Sequence, residues 1–143
     1  MATKPDPSRL RQSLRRNHEE RGQQLDLLLA ERGPVIRGSF VRQGGRCGKP
    51  SCRCTRGELH ERAVLYKSEE GAHSGTYVPQ AERAQVEERN ARYQRLRKAR
   101  ADLAKLEQQV LLIADELLEA LSEPYPPADR SRTPRQRGRR RSS

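Results

Sequence analysis

Apolar positions fall into two helical runs separated by a stretch that alternates like strand. Pro7-Ser8 can open a helix, and Leu10, Leu14, Leu25, Leu28 and Leu29 carry it to about Arg32, where Gly33-Pro34 stops it. The middle of this run is polar, since Asn17, His18 and Arg21 stand where the stripe should continue. Val35 to Arg42 reads as a strand, and Gly44-Gly45 then turns the chain. Ala63–Lys67 and Ser74–Val78 give two more short strands around a turn-like Glu69–His73, which predicts an antiparallel meander. Pro79 suits the first turn of a helix, and no Gly or Pro occurs from Gln80 to Leu121. In that helix Leu96, Ala99, Leu103, Leu106, Val110, Ile113, Leu117 and Ala120 recur at steps of three and four, the spacing of a coiled-coil seam. Val86 and Tyr93 lie on a second stripe, out of phase with it.

The fold expected is α+β and mainly α. It comprises a disordered leader (1–6), an N-terminal helix (7–33), a small three-stranded β head with a cysteine loop (35–79), a long coiled-coil helix (80–122) and a disordered Arg-rich tail (123–143). Composition supports an elongated shape over a large core. Of 143 residues, 32% are hydrophobic and 34% charged, with one Phe and no Trp, against roughly 45–50% and about 25% in ordinary domains.

All three cysteines fall in Arg46-Cys47-Gly48-Lys49-Pro50-Ser51-Cys52-Arg53-Cys54, and His60 follows. Three thiolates and one imidazole complete a tetrahedral set for structural zinc, with Gly48 and Pro50 supplying the tight turn. His60 is the expected fourth ligand, and His73 is the alternative. No apolar run approaches the roughly 20 residues of a membrane span, and the first eight residues lack the apolar core of a signal peptide. The chain therefore reads as cytoplasmic, where clustered thiols stay reduced and bind metal. A small sheet of this kind needs such a cross-link.

Charge adds the next layer. The net charge is +11, a footprint of nucleic-acid binding. Asp129 and the seven arginines after it account for +6, leaving +5 for the body. Arg42, Arg46, Lys49, Arg53 and Arg56 thread the cysteine loop, and Arg139-Arg140-Arg141 is the densest run of the tail. Arg89, Arg92, Arg95, Arg97, Lys98 and Arg100 make the start of the long helix basic, whereas its far end is acidic. If the two helices fold back from the same sheet, residue 31 should lie near 81. Arg9, Arg11, Arg15 and Arg16 would then stand beside Arg97, Lys98 and Arg100, a repulsion that an anion would relieve. The same arithmetic leaves Leu106 to Leu117 uncovered. Leu96, Leu103, Leu106, Val110, Ile113 and Leu117 are thus the expected dimer contacts.

Gly38-Ser39-Phe40-Val41, the Arg46–Cys54 string, Gly57-Glu58-Leu59-His60, Tyr66 and Thr76-Tyr77-Val78-Pro79 resemble a family of small bacterial proteins. That family is known only as a domain of unknown function, often found near transposases. The resemblance covers about residues 36–100 and implies a fold and a genomic neighbourhood. Where that family continues after the His with Gly-Pro-Tyr, this chain has Glu61-Arg62-Ala63.

No nucleophile triad, paired-carboxylate site or phosphate-cradling glycine loop is present, so catalysis is not expected. The reading is a nucleic-acid-binding accessory protein. Phosphate contacts are expected from Arg42, Arg46, Lys49, Arg53, Arg56, Arg92, Arg95 and Arg139–Arg141, with DNA favoured over RNA. A homodimer through the long helix and a transposase or recombinase partner are expected alongside it. The alternative is a coiled-coil adaptor whose basic charge is incidental.

Overall fold

The computed structural model describes residues 3–127. Elements follow as α1 (Pro7–Ala30), β1 (Ser39–Gly45), a 3-10 turn (Arg53–Arg56), β2 (His60–Glu69), β3 (Ala72–Tyr77) and α2 (Gln80–Leu121). The three strands form an antiparallel sheet in the order β1-β2-β3, as the alternation predicts. Gly44 and Gly45, expected to turn, instead extend β1 and pair with Glu61 and His60. The expected basic tail, with Arg139, Arg140 and Arg141, lies outside the described residues except for its first five positions.

Local chemistry sets the helix ends. Asp6 caps α1, accepting from the Ser8 amide at 3.0 Å, and Pro7 occupies the first turn. The helix ends at Ala30, short of the Gly33-Pro34 stop. Glu31 to Gly38 then runs extended along α2. The Ile36 amide donates to the Arg89 carbonyl at 3.2 Å, and Arg92 donates to the Pro34 carbonyl at 2.7 Å.

This linker shifts the helix register. Glu31 lies beside Arg92 and Arg95, not beside residue 81, so α1 starts its return about three turns further down α2. Arg21 meets Glu107 at 2.7 Å, and Lys4 reaches the Ser122 carbonyl at 2.9 Å. Two expectations are thereby corrected. The stretch from Leu106 to Leu117 is not left uncovered, because α1 lies along it. The basic start of α1 faces the acidic end of α2, not the basic start, so no repulsion calls for an anion there.

The faces that meet repeat at three and four on both helices. On α2 they are the predicted seam, with Ala99 and Leu106 buried. On α1 the partners are Pro7, Leu10, Leu14, Asn17, Arg21, Gln24 and Leu28, all at least partly buried, whereas Leu25 and Leu29 point outward. The polar middle of α1 is thus part of the contact. Asn17, 4% exposed, donates to the Leu106 carbonyl at 3.1 Å.

The sheet sits on the start of α2 through Ala63, Leu65 and Val78, joined by Ile36, Phe40 and Val86. Asn90, 5% exposed, holds the junction. Its Nδ2 donates to the Ile36 and Gly38 carbonyls at 3.0 and 2.8 Å, and its Oδ1 accepts the Phe40 amide at 3.0 Å. Gly38 is required here: its φ is +112°, and a Cβ would collide with the Tyr66 carbonyl. The out-of-phase stripe is explained by this packing, since Val86 and Asn90 face the head and the later seam faces α1.

Candidate metal centre and its basic surround

The cysteine loop closes the open end of the β1–β2 ladder. Gly48 turns with φ +82°, and the Cys52 amide donates to the Lys49 carbonyl at 3.1 Å, bringing Cys52 back toward Cys47. Cys52 leads into the 3-10 turn that carries Cys54, which is 0% exposed. Gly57, with φ +102°, ends that turn and releases the chain toward β2. His60 is the first residue of β2, paired with Gly45 at the end of β1.

These turns bring Cys47, Cys52, Cys54 and His60 together with their ligand atoms all within 4.8 Å of one another. Cys47 Sγ lies 3.5 Å from Cys54 Sγ, and Cys52 Sγ lies 2.9 Å from His60 Nε2. A tetrahedral ion bound at about 2.3 Å to sulfur and 2.0–2.1 Å to nitrogen holds its ligand atoms roughly 3.5 Å apart. The cluster is therefore of the size and donor type for metal. His73, the alternative fourth ligand, pairs with Ser68 at the other end of the sheet and takes no part.

Hydrogen bonding favours the thiolate at Cys47, whereas the neighbouring Cys52 thiol is raised. The Cys47 amide donates to Cys54 Sγ at 3.4 Å. A backbone hydrogen bond at Lys49, with the neighbouring thiols, pulls the Cys47 thiol down from 9.0 to about 6.

The predicted phosphate contacts separate into two groups. Arg46, Lys49, Arg53 and Arg56 are exposed on the loop and make no ion pair among the described residues. Arg42, Arg92 and Arg95 are engaged within the fold. Arg42 bridges Glu61 at 2.9 Å and Glu87 at 2.6 Å, tying β1 to β2 and α2. Arg92, only 17% exposed, meets Glu31 at 3.3 Å, and Arg95 meets it at 2.7 Å. The Arg95 hydrogen bond leads in holding the Glu31 carboxyl below its usual range, against the opposing effect of burial.

Arg62 was not anticipated. It donates to the Arg46 carbonyl and lies over the Tyr77 ring at 6.0 Å, pinning the loop to the sheet. Its neighbour Glu61 pairs with Arg42, and Ala63 enters the core. Strand alternation was the available signal, since Arg62 falls on the face opposite Ala63.

The family model described as Domain of unknown function (DUF6788) matches residues 10–88, more than half of the chain. The chain belongs to this family. The matched span takes in most of α1, the whole sheet and the metal cluster, and stops within the first part of α2. It begins well before the residues that carried the resemblance. Comparison with curated proteins found no match, nor did comparison with solved structures. No helix among the described residues is long and apolar enough to cross a membrane.

Proposed function

We propose that this chain is a non-enzymatic nucleic-acid-binding protein, with duplex DNA its favoured ligand, and that a structural zinc ion sets the shape of its Cys3His loop. The observation that carries the reading is the pairing of Arg46, Lys49, Arg53 and Arg56, all without ion-pair partners among the described residues, with a four-ligand cluster that fixes the loop bearing them. Cations that the fold does not neutralise are free to release counterions from a phosphate backbone. Three sulfur donors and one imidazole suit zinc better than harder cations. Association with a transposase or recombinase in a bacterial cytoplasm belongs to this reading on the strength of the loop's resemblance alone.

The test is fluorescence anisotropy of the full chain on duplex DNA and single-stranded RNA across a salt series. Duplex affinity with a steep salt slope, weakened by Cys52→Ser, is expected. Affinity that survives Cys52→Ser and disappears when the tail arginines become Ser would move the activity to the tail and overturn the loop reading.

A second reading, an assembly protein acting through α2, rests on a different observation. Leu111, Leu112, Leu118 and Leu121 are more than half exposed on the acidic end of that helix. Its basic start offers a second copy charge complementarity in an antiparallel pairing. Such contacts would use these outward leucines, since Leu106 is already buried within the chain.

A further inference from the structure

The other end of the sheet carries a groove that the metal loop does not touch. Two features of the register open it. β1 begins at Ser39 opposite Tyr66, whereas β2 continues to Glu69 with only β3 beside it. The segment before β1 has already turned away toward α2, held by Asn90 and by Gln94, whose Nε2 donates to the Gly38 carbonyl at 2.7 Å. Between that segment, the bare edge of β2 at Lys67–Glu69, and α2 lies a groove of about 820 Å³.

Its lining is selective. Arg37, Lys67 and Arg97 come from three different elements, and none makes an ion pair among the described residues. Glu69 is the one acid in the lining, leaving three cations against one anion and a formal charge of +2. Tyr93 of α2 adds aromatic surface.

We propose that this groove binds a nucleoside phosphate, with the phosphate on Arg37, Lys67 and Arg97 and the base against Tyr93. Convergent cations without internal partners suit a dianion, and ring surface beside them suits a base, which an inorganic ion would not use. Backbone groups on the unpaired edge of β2 supply further hydrogen-bonding capacity. The volume falls within the roughly 300–1,000 Å³ of ligand sites. This site stands apart from the loop reading. From His60 to Lys67 is about 23 Å along the strand at roughly 3.3 Å per residue.

The experiment is an amide-resolved NMR titration of the full chain with 5′-AMP, with a 5′-phosphorylated deoxyadenosine hexamer, and with inorganic phosphate. Shifts at residues 37–39, 67–69 and 93–97 are expected. Lys67→Gln with Arg97→Gln should weaken AMP binding about tenfold at unchanged Tm, the scale of lost charge-assisted hydrogen bonds. Tyr93→Leu should weaken AMP but not inorganic phosphate. The tighter of AMP and hexamer assigns the source, a free nucleotide or a strand. Inorganic phosphate binding as tightly as AMP would overturn the proposal, as would shifts confined to residues 46–56 or normal AMP affinity in the double variant. Replacing Arg46, Lys49, Arg53 and Arg56 with Ser should leave AMP affinity unchanged, so the loop and the groove fail separately.

Discussion

Asn17 of α1 donates from Nδ2 to the Leu106 carbonyl of α2 at 3.1 Å, in a position where the helix–helix contact would otherwise take an apolar side chain. The same nitrogen lies 3.4 Å from Gln109 Oε1, while Asn17 Oδ1 is buried without a partner among the described residues. A half-satisfied amide costs stability and in return restricts register, as a buried polar residue does in a coiled-coil seam. Asn17→Leu should therefore raise Tm by a few degrees, in line with about 1 kcal/mol recovered from an unsatisfied group. It should also broaden the distribution of species in sedimentation velocity. A lowered Tm would show that the amide contributes net stability.

Asn90 has no such deficit, because its three hydrogen bonds are all made. Asn90→Ala removes them together and strands the Ile36 carbonyl and the Phe40 amide at the junction of helix and sheet, while the Gly38 carbonyl keeps its bond from Gln94. The expected loss is about 3 kcal/mol at roughly 1 kcal/mol per bond. Urea denaturation gives the magnitude, and hydrogen exchange at the Phe40 amide should accelerate with it. Unchanged exchange at Phe40 would sink this account of the junction.

These two asparagines mark where the sequence was legible and where it was not. Strand alternation and the absence of Gly and Pro from 80–121 showed three strands and a long helix, and α2 begins and ends within a residue of its expected bounds. The clustering of Cys47, Cys52 and Cys54 pointed to the site with His60. The register of α1 on α2 was hidden, because the Glu31–Gly38 linker lies along α2 through backbone carbonyls and one buried Asn. That information resides in tertiary hydrogen bonds, not in periodicity. For the same reason Asn17 and Arg21 looked like gaps in a stripe. Arg37, Lys67 and Arg97 are each about 30 residues from the next and converge only through the sheet.

Zinc supplied to the purified chain should bind at one equivalent, read by mass spectrometry under native conditions. Cys54→Ser should abolish binding, since this thiol is the fully buried one. His60→Ala should weaken binding, and His73→Ala should leave it unchanged. Equal effects of the two histidines would contradict the cluster.

The Cys47 thiol gives a pH signature in the metal-free chain. With its pKa lowered from 9.0 to about 6, folding favours the thiolate. The resulting stabilisation is fully present above pH 9 and is lost as pH falls through about 6. Thiolate absorbance near 240 nm should show a step at about pH 6 that is missing in Cys47→Ser. Titration of all thiols near 9 would refute it.

The ion pairs divide the arginines into two experimental classes. Replacing Arg46, Lys49, Arg53 and Arg56 with Ser should flatten the salt dependence of duplex binding by up to about 3.6 in log–log slope, at roughly 0.9 per phosphate contact. Arg42→Ala should leave that slope nearly unchanged while lowering stability, because Glu61 and Glu87 lose their shared partner. The reverse pattern would place Arg42 on the nucleic acid.

Lys4 and Ser122 meet at the tip of the helical hairpin, at the end opposite the cysteine loop. The 42 residues of α2 measure about 63 Å at roughly 1.5 Å per residue. On a duplex laid along the hairpin, at about 3.4 Å per base pair, the loop and the tip stand some 18 base pairs apart. An oligonucleotide shorter than two helical turns would engage one end and leave the other without a ligand.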